Sequence, residues 1–194
     1  MDRSSISDDA AFTRRGEAWS EVTRLGDGAF RVRMGGRFPT AWLSILSTHL
    51  AERNVSIDHT HARHTDDVWI AEFHLIALPG APDLLSMGYI ELALGAITGS
   101  AGTFALDSYR LLESRDYGGT LMLALEARDS LGLLGSLLSA LAELDLYPLE
   151  VHIETRNGLA YDSLWLASAG GSPPSPRTIA ATLDVLDAAL VKPS

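Results

Sequence analysis

The first half of the chain alternates apolar and polar positions and then changes to a helical spacing. Within Ala29–Met34, apolar residues alternate with arginines, a period of two that is typical of a half-buried strand. Leucines then recur at helical spacing over Leu43–Leu50 and predict a helix. Val55–Arg63 and Val68–Leu78 predict two further strands, and a second helix is predicted from about Pro82 to Leu94.

The second half repeats this pattern with clearer signals. Leucines alternate over Leu121–Leu125 as in a strand, and the leucines within Leu134–Leu141 recur at helical spacing. Asn157-Gly158 is typical of a tight hairpin turn and predicts strands on both sides of it. An apolar stripe over Ile179–Leu190 predicts the last helix. The order of elements is the same as in the first half.

The two halves also match residue by residue when the sequence is shifted by 91 positions. Leu50-Ala51-Glu52 then coincides with Leu141-Ala142-Glu143, and His61 coincides with His152. No gap is needed between Gly28 and Pro82. Because identities and element order agree, we interpret the chain as an internal duplication.

Each unit contains strand–helix–strand–strand–helix and needs one more strand to complete a four-stranded sheet. Asp107–Arg115 predicts a strand between the units, and since the second unit ends on a helix, we expect Glu17–Leu25 to supply its missing strand. The predicted class is α+β, with two ferredoxin-like βαββαβ units whose helices cover one face of an antiparallel sheet. The predicted boundaries are a flexible tail over 1–16, units over 17–94 and 107–194, and a linker over 95–106.

Composition and charge restrict the function classes. The absence of cysteine excludes disulfides, thiolate metal sites and cysteine nucleophiles. With 15 basic and 25 acidic residues, the net charge of −10 argues against nucleic-acid binding. No stretch has the length and apolarity of a signal peptide or a membrane span, so we expect no membrane association and a cytoplasmic location.

One stretch resembles a known regulatory family. Ala127–Leu134, with an acidic residue, a short turn, a glycine and two aliphatic residues entering a helix, resembles the start of an ACT domain, and Leu141–Glu154 resembles its passage to the second strand. The resemblance covers Leu121–Leu166 well and Phe30–Leu75 more weakly. The two-unit length is similar to the glycine-cleavage-system regulator group of tandem ACT proteins. The resemblance implies binding of an amino acid or related small carboxylate and signalling to a protein partner.

The resemblance places the ligand at the turn formed by Asp129, Ser130, Leu131 and Gly132. A helix N-terminus offers free N–H groups and partial positive charge to a carboxylate, and glycine permits close approach to the backbone. Asp129 or Ser130 could also cap the helix that follows. The first unit departs from the pattern, because Arg37–Ala41 has neither the acidic residue nor the glycine.

A second candidate surface is the sheet face opposite the helices. Strand alternation places histidines, arginines and carboxylates there in the first unit. One hypothesis is an anion pocket, whose candidate residues are Arg31, Arg33, Arg63, His61 and His152. The alternative is an enzyme or cyclase-like pocket, in which the candidate catalytic residues are His59, His61, Glu72 and His74. His59-x-His61 could also present two imidazoles to a divalent metal, but the spacing alone is weak evidence.

The leading hypothesis is a non-enzymatic regulatory protein of two ACT domains that binds an amino acid or a similar carboxylate. No motif predicts a cofactor or a metal site, and none predicts catalytic residues outside the enzyme hypothesis. A third hypothesis is an assembly module joined through its open sheet faces, and a homodimer is kept open as its oligomeric state.

Overall fold

A computed structural model describes residues 17–96 and 102–191 of the chain. The predicted tail over 1–16 and residues 97–101 of the predicted linker lie outside the described residues. The described residues form eight strands and four α-helices, and each α-helix follows a pair of strands. The strands are β1 (Trp19–Gly26), β2 (Ala29–Gly36), β3 (Val55–Thr65), β4 (Val68–Ala77), β5 (Ser108–Ser114), β6 (Thr120–Arg128), β7 (Leu146–Arg156) and β8 (Leu159–Ser168). The helices are α1 (Trp42–Glu52), α2 (Tyr89–Leu94), α3 (Leu133–Glu143) and α4 (Pro176–Ala189).

All eight strands belong to one antiparallel sheet in the order β1-β2-β4-β3-β7-β8-β6-β5. Corresponding elements of the two halves keep the 91-residue offset of the sequence, as for the 11-residue helices α1 and α3 and the 11-residue strands β3 and β7. The halves join where β3 pairs with β7, and His61 there lies opposite His152. Because these two residues are also equivalent in the repeat, the pseudo-twofold axis passes between them.

The edge strands differ from the prediction. β1 pairs with β2 in its own half, and β5 pairs with β6. The expectation that the N-terminal segment completes the sheet of the second unit is therefore wrong. Each half has the chain order ββαββα, with its edge strand first, instead of the predicted βαββαβ. Because the turn from β1 to β2 is short, pairing β1 with β2 loses less loop-closure entropy than pairing β1 with a strand of the second half would.

The helices cover one face of the sheet, and the apolar side chains of the alternating strands face them. Phe30, Val32 and Met34 of β2 are buried in a core that also contains the leucines of α1 and α3. Leu164 of β8 is fully buried, and the alternation of the strand places Trp165 on the opposite face. The alternation over these strands therefore predicted the buried face correctly.

The helix prediction was less accurate at the ends. The predicted helix from Pro82 to Leu94 is divided into a single 3₁₀ turn, Leu84–Ser86, and the short α2, with Gly88 between them. In the last helix Leu186 is buried, but Leu183 is 38% exposed, so the predicted stripe only partly reaches the core. Among the described residues, no helix combines the length and apolarity needed to cross a membrane.

Candidate functional site

The helices α1 and α3 pack closely over the centre of the sheet. Ser44 Oγ lies 2.8 Å from Ser139 Oγ and 3.5 Å from the carbonyl oxygen of Gly135. A Cβ atom at Gly135 would come within 2.9 Å of Thr48 Oγ1 and 3.1 Å of the Thr48 backbone nitrogen. Close packing at this point leaves one quasi-equivalent cleft on each side, where the N-terminus of one helix meets strands of both halves.

The cleft at the N-terminus of α3 contains a cavity of about 30 Å³. Its walls come from both halves of the molecule: the turn before α3, the C-terminal half of α1, the start of β3, and β7 and β8. The predicted turn residues Asp129, Ser130, Leu131 and Gly132 all line it. A cavity this small holds an ordered water molecule or two. A larger ligand therefore needs the turn to move outward, and both Asp129 and Leu131 are exposed.

Three residues that line this cavity each have a buried polar atom that makes no hydrogen bond to the described residues: Ser47 Oγ, Thr155 Oγ1 and Asp162 Oδ1. Asp162 is only 2% exposed. Buried polar groups are nearly always hydrogen-bonded, because an unsatisfied one loses its hydration without replacement. Three such atoms at one cavity therefore indicate a place where polar atoms of water or a ligand complete the structure.

Acidic side chains lie close together at the cleft, which disfavours their ionised forms. Burial, and then the nearby charge of Asp129, raises the pKa of Asp162 to about 7. Burial likewise raises the pKa of Asp129, and the charge of Asp58 adds to the effect. A cation placed among these carboxyl groups would favour their ionised forms and reverse both effects. The cleft is thus better suited to an ammonium group than to a bare anion.

The opposite wall of the cleft offers hydrogen-bond donors. Gly132 adopts the left-handed conformation (φ = 86°) and starts α3 without any side-chain cap, so the predicted capping by Asp129 or Ser130 is wrong. Because α3 begins at Leu133, the N–H groups of Leu134 and Gly135 have no intrahelical acceptor. These donors and the helix dipole suit a carboxylate. The cleft therefore presents donors and acidic groups at the same time.

Asp162, Thr155 and Ser47 were not predicted as site residues. A signal for Asp162 was present, because the alternation of β8 places it on the same face as Leu164 and Leu166, where an acidic side chain is costly. The contribution of Ser47 comes from α1 of the other half, and only the helix packing brings it to the cleft. Sequence analysis without the joined sheet could not find it.

The equivalent cleft of the first half is filled with aromatic side chains. Phe38 stacks on Trp42 at 4.9 Å between ring centroids, and Trp42 meets Trp69 edge to face at 5.3 Å. Trp42 is fully buried. By the 91-residue offset, Ala71 occupies the position of Asp162. The first half was expected to depart from the ligand-site pattern, and in the structure aromatic rings occupy the space that corresponds to the cavity of the second half.

The candidate residues of the open sheet face form small groups that span several strands. Arg33 lies 3.8 Å from Glu72 and 4.0 Å from Glu21, and His74 Nε2 lies 3.2 Å from Glu72 Oε1. Arg31 is opposite His74 in the strand register, and the His59 ring lies 5.4 Å from that of His74. Carboxylates thus accompany Arg33 and His74, whereas Arg31 Nε is buried and makes no hydrogen bond to the described residues, so this face is a mixed-charge surface.

His61 and His152 belong to a different group at the centre of the sheet. Their ring centroids are 4.3 Å apart, and both side chains face Glu150. Within the described part of the chain, only His61, Glu150 and His152 bring three potential metal-ligand atoms within 4.8 Å of one another. The structure thus brings His61 together with His152 and Glu150, whereas the candidate catalytic set combined it with Glu72 and His74.

Comparison with known proteins identifies no family for this chain. No protein-family model matches the sequence, and no curated protein matches it significantly. Among solved structures, the chain is similar to the crystal structure of aspartate kinase from Synechocystis, with 17% sequence identity and a TM-score of 0.43. The match covers 81% of this chain and 27% of the kinase chain, so this chain spans about a quarter of the length of that enzyme.

Proposed function

We propose that this chain is a regulatory protein of two ACT-type units, residues 17–94 and 107–194, which binds one small amino acid in the cleft at the N-terminus of α3. The observation that carries the proposal is the buried Asp162 carboxyl, which lines the cleft together with Thr155 and Ser47 and has an unsatisfied oxygen. A buried acidic group of this kind supports a ligand with a cationic end.

The two walls of the cleft match the two ends of an amino acid. The α-ammonium group would lie toward Asp162 and Asp129, where it donates hydrogen bonds and balances the acidic charge. The α-carboxylate would accept hydrogen bonds from the N–H groups in the first turn of α3. The resemblance of Asp129–Gly132 to the ACT ligand turn supports the same placement.

The size of the cavity limits the ligand. With about 30 Å³ available, even a small amino acid requires displacement of the exposed turn that carries Leu131. Glycine, alanine and serine require the least displacement and are the first ligands to test. Because the cleft contacts α1 and β3 of the other half, opening it would change how the halves pack. The signal would then reach a protein partner or alter self-association.

Isothermal titration calorimetry of the full chain with the twenty amino acids, glycine, alanine and serine first, tests the proposal. We expect one of these small amino acids to bind with one molecule per chain, because the other cleft is filled. Asp162→Asn should abolish binding, whereas Asp184→Asn, the same substitution on the exposed side of α4, should leave it intact.

Two results would overturn the proposal. One is that no amino acid binds at millimolar concentration to protein that circular dichroism shows to be folded. The other is that Asp162→Asn binds as tightly as the unaltered chain, because the buried carboxyl then plays no part in recognition.

A further inference from the structure

The centre of the open sheet face carries a cluster that the amino-acid cleft does not use. We propose that His61, Glu150 and His152 bind one divalent transition-metal ion, of the zinc class, on the pseudo-twofold axis between the two halves. The three side chains supply two imidazole nitrogens and one carboxylate oxygen. The inference is independent of the proposed amino-acid site, which lies on the helix side of the sheet.

The geometry is close to that of a metal centre. The Glu150 Oε1 atom lies 2.6 Å from His152 Nε2 and 3.5 Å from His61 Nε2, and all three potential ligand atoms lie within 4.8 Å of one another. A tetrahedral ion with bonds of ~2.0–2.1 Å separates its ligand atoms by about 3.4 Å. Small side-chain rotations therefore convert the cluster into three ligands around one ion.

One of the ligand atoms has no hydrogen bond in the described structure. His61 Nε2 is buried and makes no hydrogen bond, although the acidic oxygen of Glu150 is nearby. His61 Nε2 therefore lies 3.5 Å from a carboxylate oxygen without a short hydrogen bond to it, and a cation bound between the two atoms would contact both.

The backbone holds the ligands in place. His61 and His152 lie directly opposite each other on the two central strands of the eight-stranded sheet, where neither strand is an edge. The register of β7 against β8 shifts between Pro148 and Glu150, directly before the two ligand residues of β7. Strands of this kind position ligands more rigidly than loops do.

The residues around the cluster leave one Glu150 oxygen for the metal and one coordination position open to water. Arg63 Nε lies 3.9 Å from Glu150 Oε2, so it can hold one carboxylate oxygen while the other faces the histidines. The His152 side chain is 47% exposed, which leaves a side from which water can complete the coordination. Two imidazoles and one carboxylate favour Zn²⁺, Co²⁺, Ni²⁺ or Cu²⁺ over Mg²⁺ and Ca²⁺.

Calorimetric titration of the tag-free full chain with ZnCl₂ and with MgCl₂ at neutral pH tests this inference, with Co²⁺ absorption as a second measurement. We expect one Zn²⁺ per chain, no heat from Mg²⁺, and a visible Co²⁺ spectrum of tetrahedral intensity. His152→Ala should weaken Zn²⁺ binding by about 100-fold or more, and Glu150→Gln by at least about tenfold. His59→Ala is the matched control, because His59 lies on the same face two residues from His61 but outside the cluster.

His152→Ala is the deciding variant, because His152 is half exposed and its substitution disturbs little packing. Three results would overturn the inference: no Zn²⁺ binding, binding that His152→Ala leaves unchanged, or equal losses in His152→Ala and His59→Ala. The last would show scattered adsorption on surface histidines instead of one centre.

Discussion

The two clefts beside the helix packing occupy equivalent positions and have opposite chemistry. In the first half, Phe38, Trp42 and Trp69 fill the space with rings. In the second half, the corresponding space is a small cavity with the buried carboxyl of Asp162 and unsatisfied polar atoms around it. The same backbone therefore supports a packed core on one side and a polar site on the other. The aromatic cleft stabilises the fold through buried ring area, although Trp42 Nε1 also lacks a hydrogen bond, and the polar cleft keeps a buried carboxyl at a cost in stability.

The largest expected effect follows from emptying the aromatic cleft. Trp42→Ala should lower the free energy of unfolding by about 3–5 kcal/mol, because it removes a fully buried ring and leaves a cavity. The equivalent substitution in the other half, Leu133→Ala, should cost less, since Leu133 already borders a cavity. Urea denaturation of both variants measures the difference. Equal losses would show that the two clefts do not differ in packing.

The second prediction is a substitution in the polar cleft, Asp162→Asn, that should stabilise the protein. The pKa of Asp162 is about 7 in the folded protein against an ordinary value of 3.8, so the folded chain holds the extra proton between these two pH values. Stability therefore falls as the pH rises from about 4 to 7, and the full cost of the ionised carboxyl remains above that range. Asp162→Asn should raise the free energy of unfolding at pH 8 by about 2–4 kcal/mol.

Urea denaturation at pH 4, 6 and 8 measures this effect. The unaltered chain should lose stability across the series more steeply than Asp162→Asn, in which this contribution is absent. Asp184→Asn again serves as the control for surface charge. If Asp162→Asn is less stable at pH 8 than the unaltered chain, the ionised Asp162 carboxyl has a stabilising partner, and the prediction that it destabilises the fold is wrong.

Much of the fold and part of the cleft follow from local patterns. Alternation identified the strands and their buried faces, because a strand must present one side to the core. The turn at Asp129–Gly132 was also found, and it lines the cavity. The pairing of β3 with β7 was not found, because both strands carry polar residues on one face and nothing local shows that their edges meet. The His61–Glu150–His152 cluster and the role of Ser47 depend on that pairing.

The third effect concerns the turn that closes the polar cleft. Gly132 has a φ of 86°, whereas Ala41, its equivalent before α1, has a φ of −89°. Gly132→Ala should cost about 1–2 kcal/mol, because an alanine is strained in the left-handed region. Ala41→Gly should change the free energy of unfolding by less than about 1 kcal/mol, because the N-cap preference for glycine over alanine offsets the greater freedom of glycine in the unfolded chain. Thermal denaturation of the two variants compares the sites, and a stable Gly132→Ala protein would show that the turn relaxes to an ordinary conformation.

The smallest expected effect is the pH dependence of amino-acid binding, and it distinguishes the polar cleft from the aromatic one. An ammonium group binds the ionised form of Asp162, whose pKa is about 7, so binding releases a proton below that pH. Between pH 6 and pH 8 the affinity should rise by about tenfold, which corresponds to about 1.4 kcal/mol. Titrations at both pH values in buffers of different ionisation enthalpy would detect the released proton. Affinity that falls with pH would mean that the ligand accepts a hydrogen bond from the protonated carboxyl, and its cationic end would then have to lie elsewhere in the cleft.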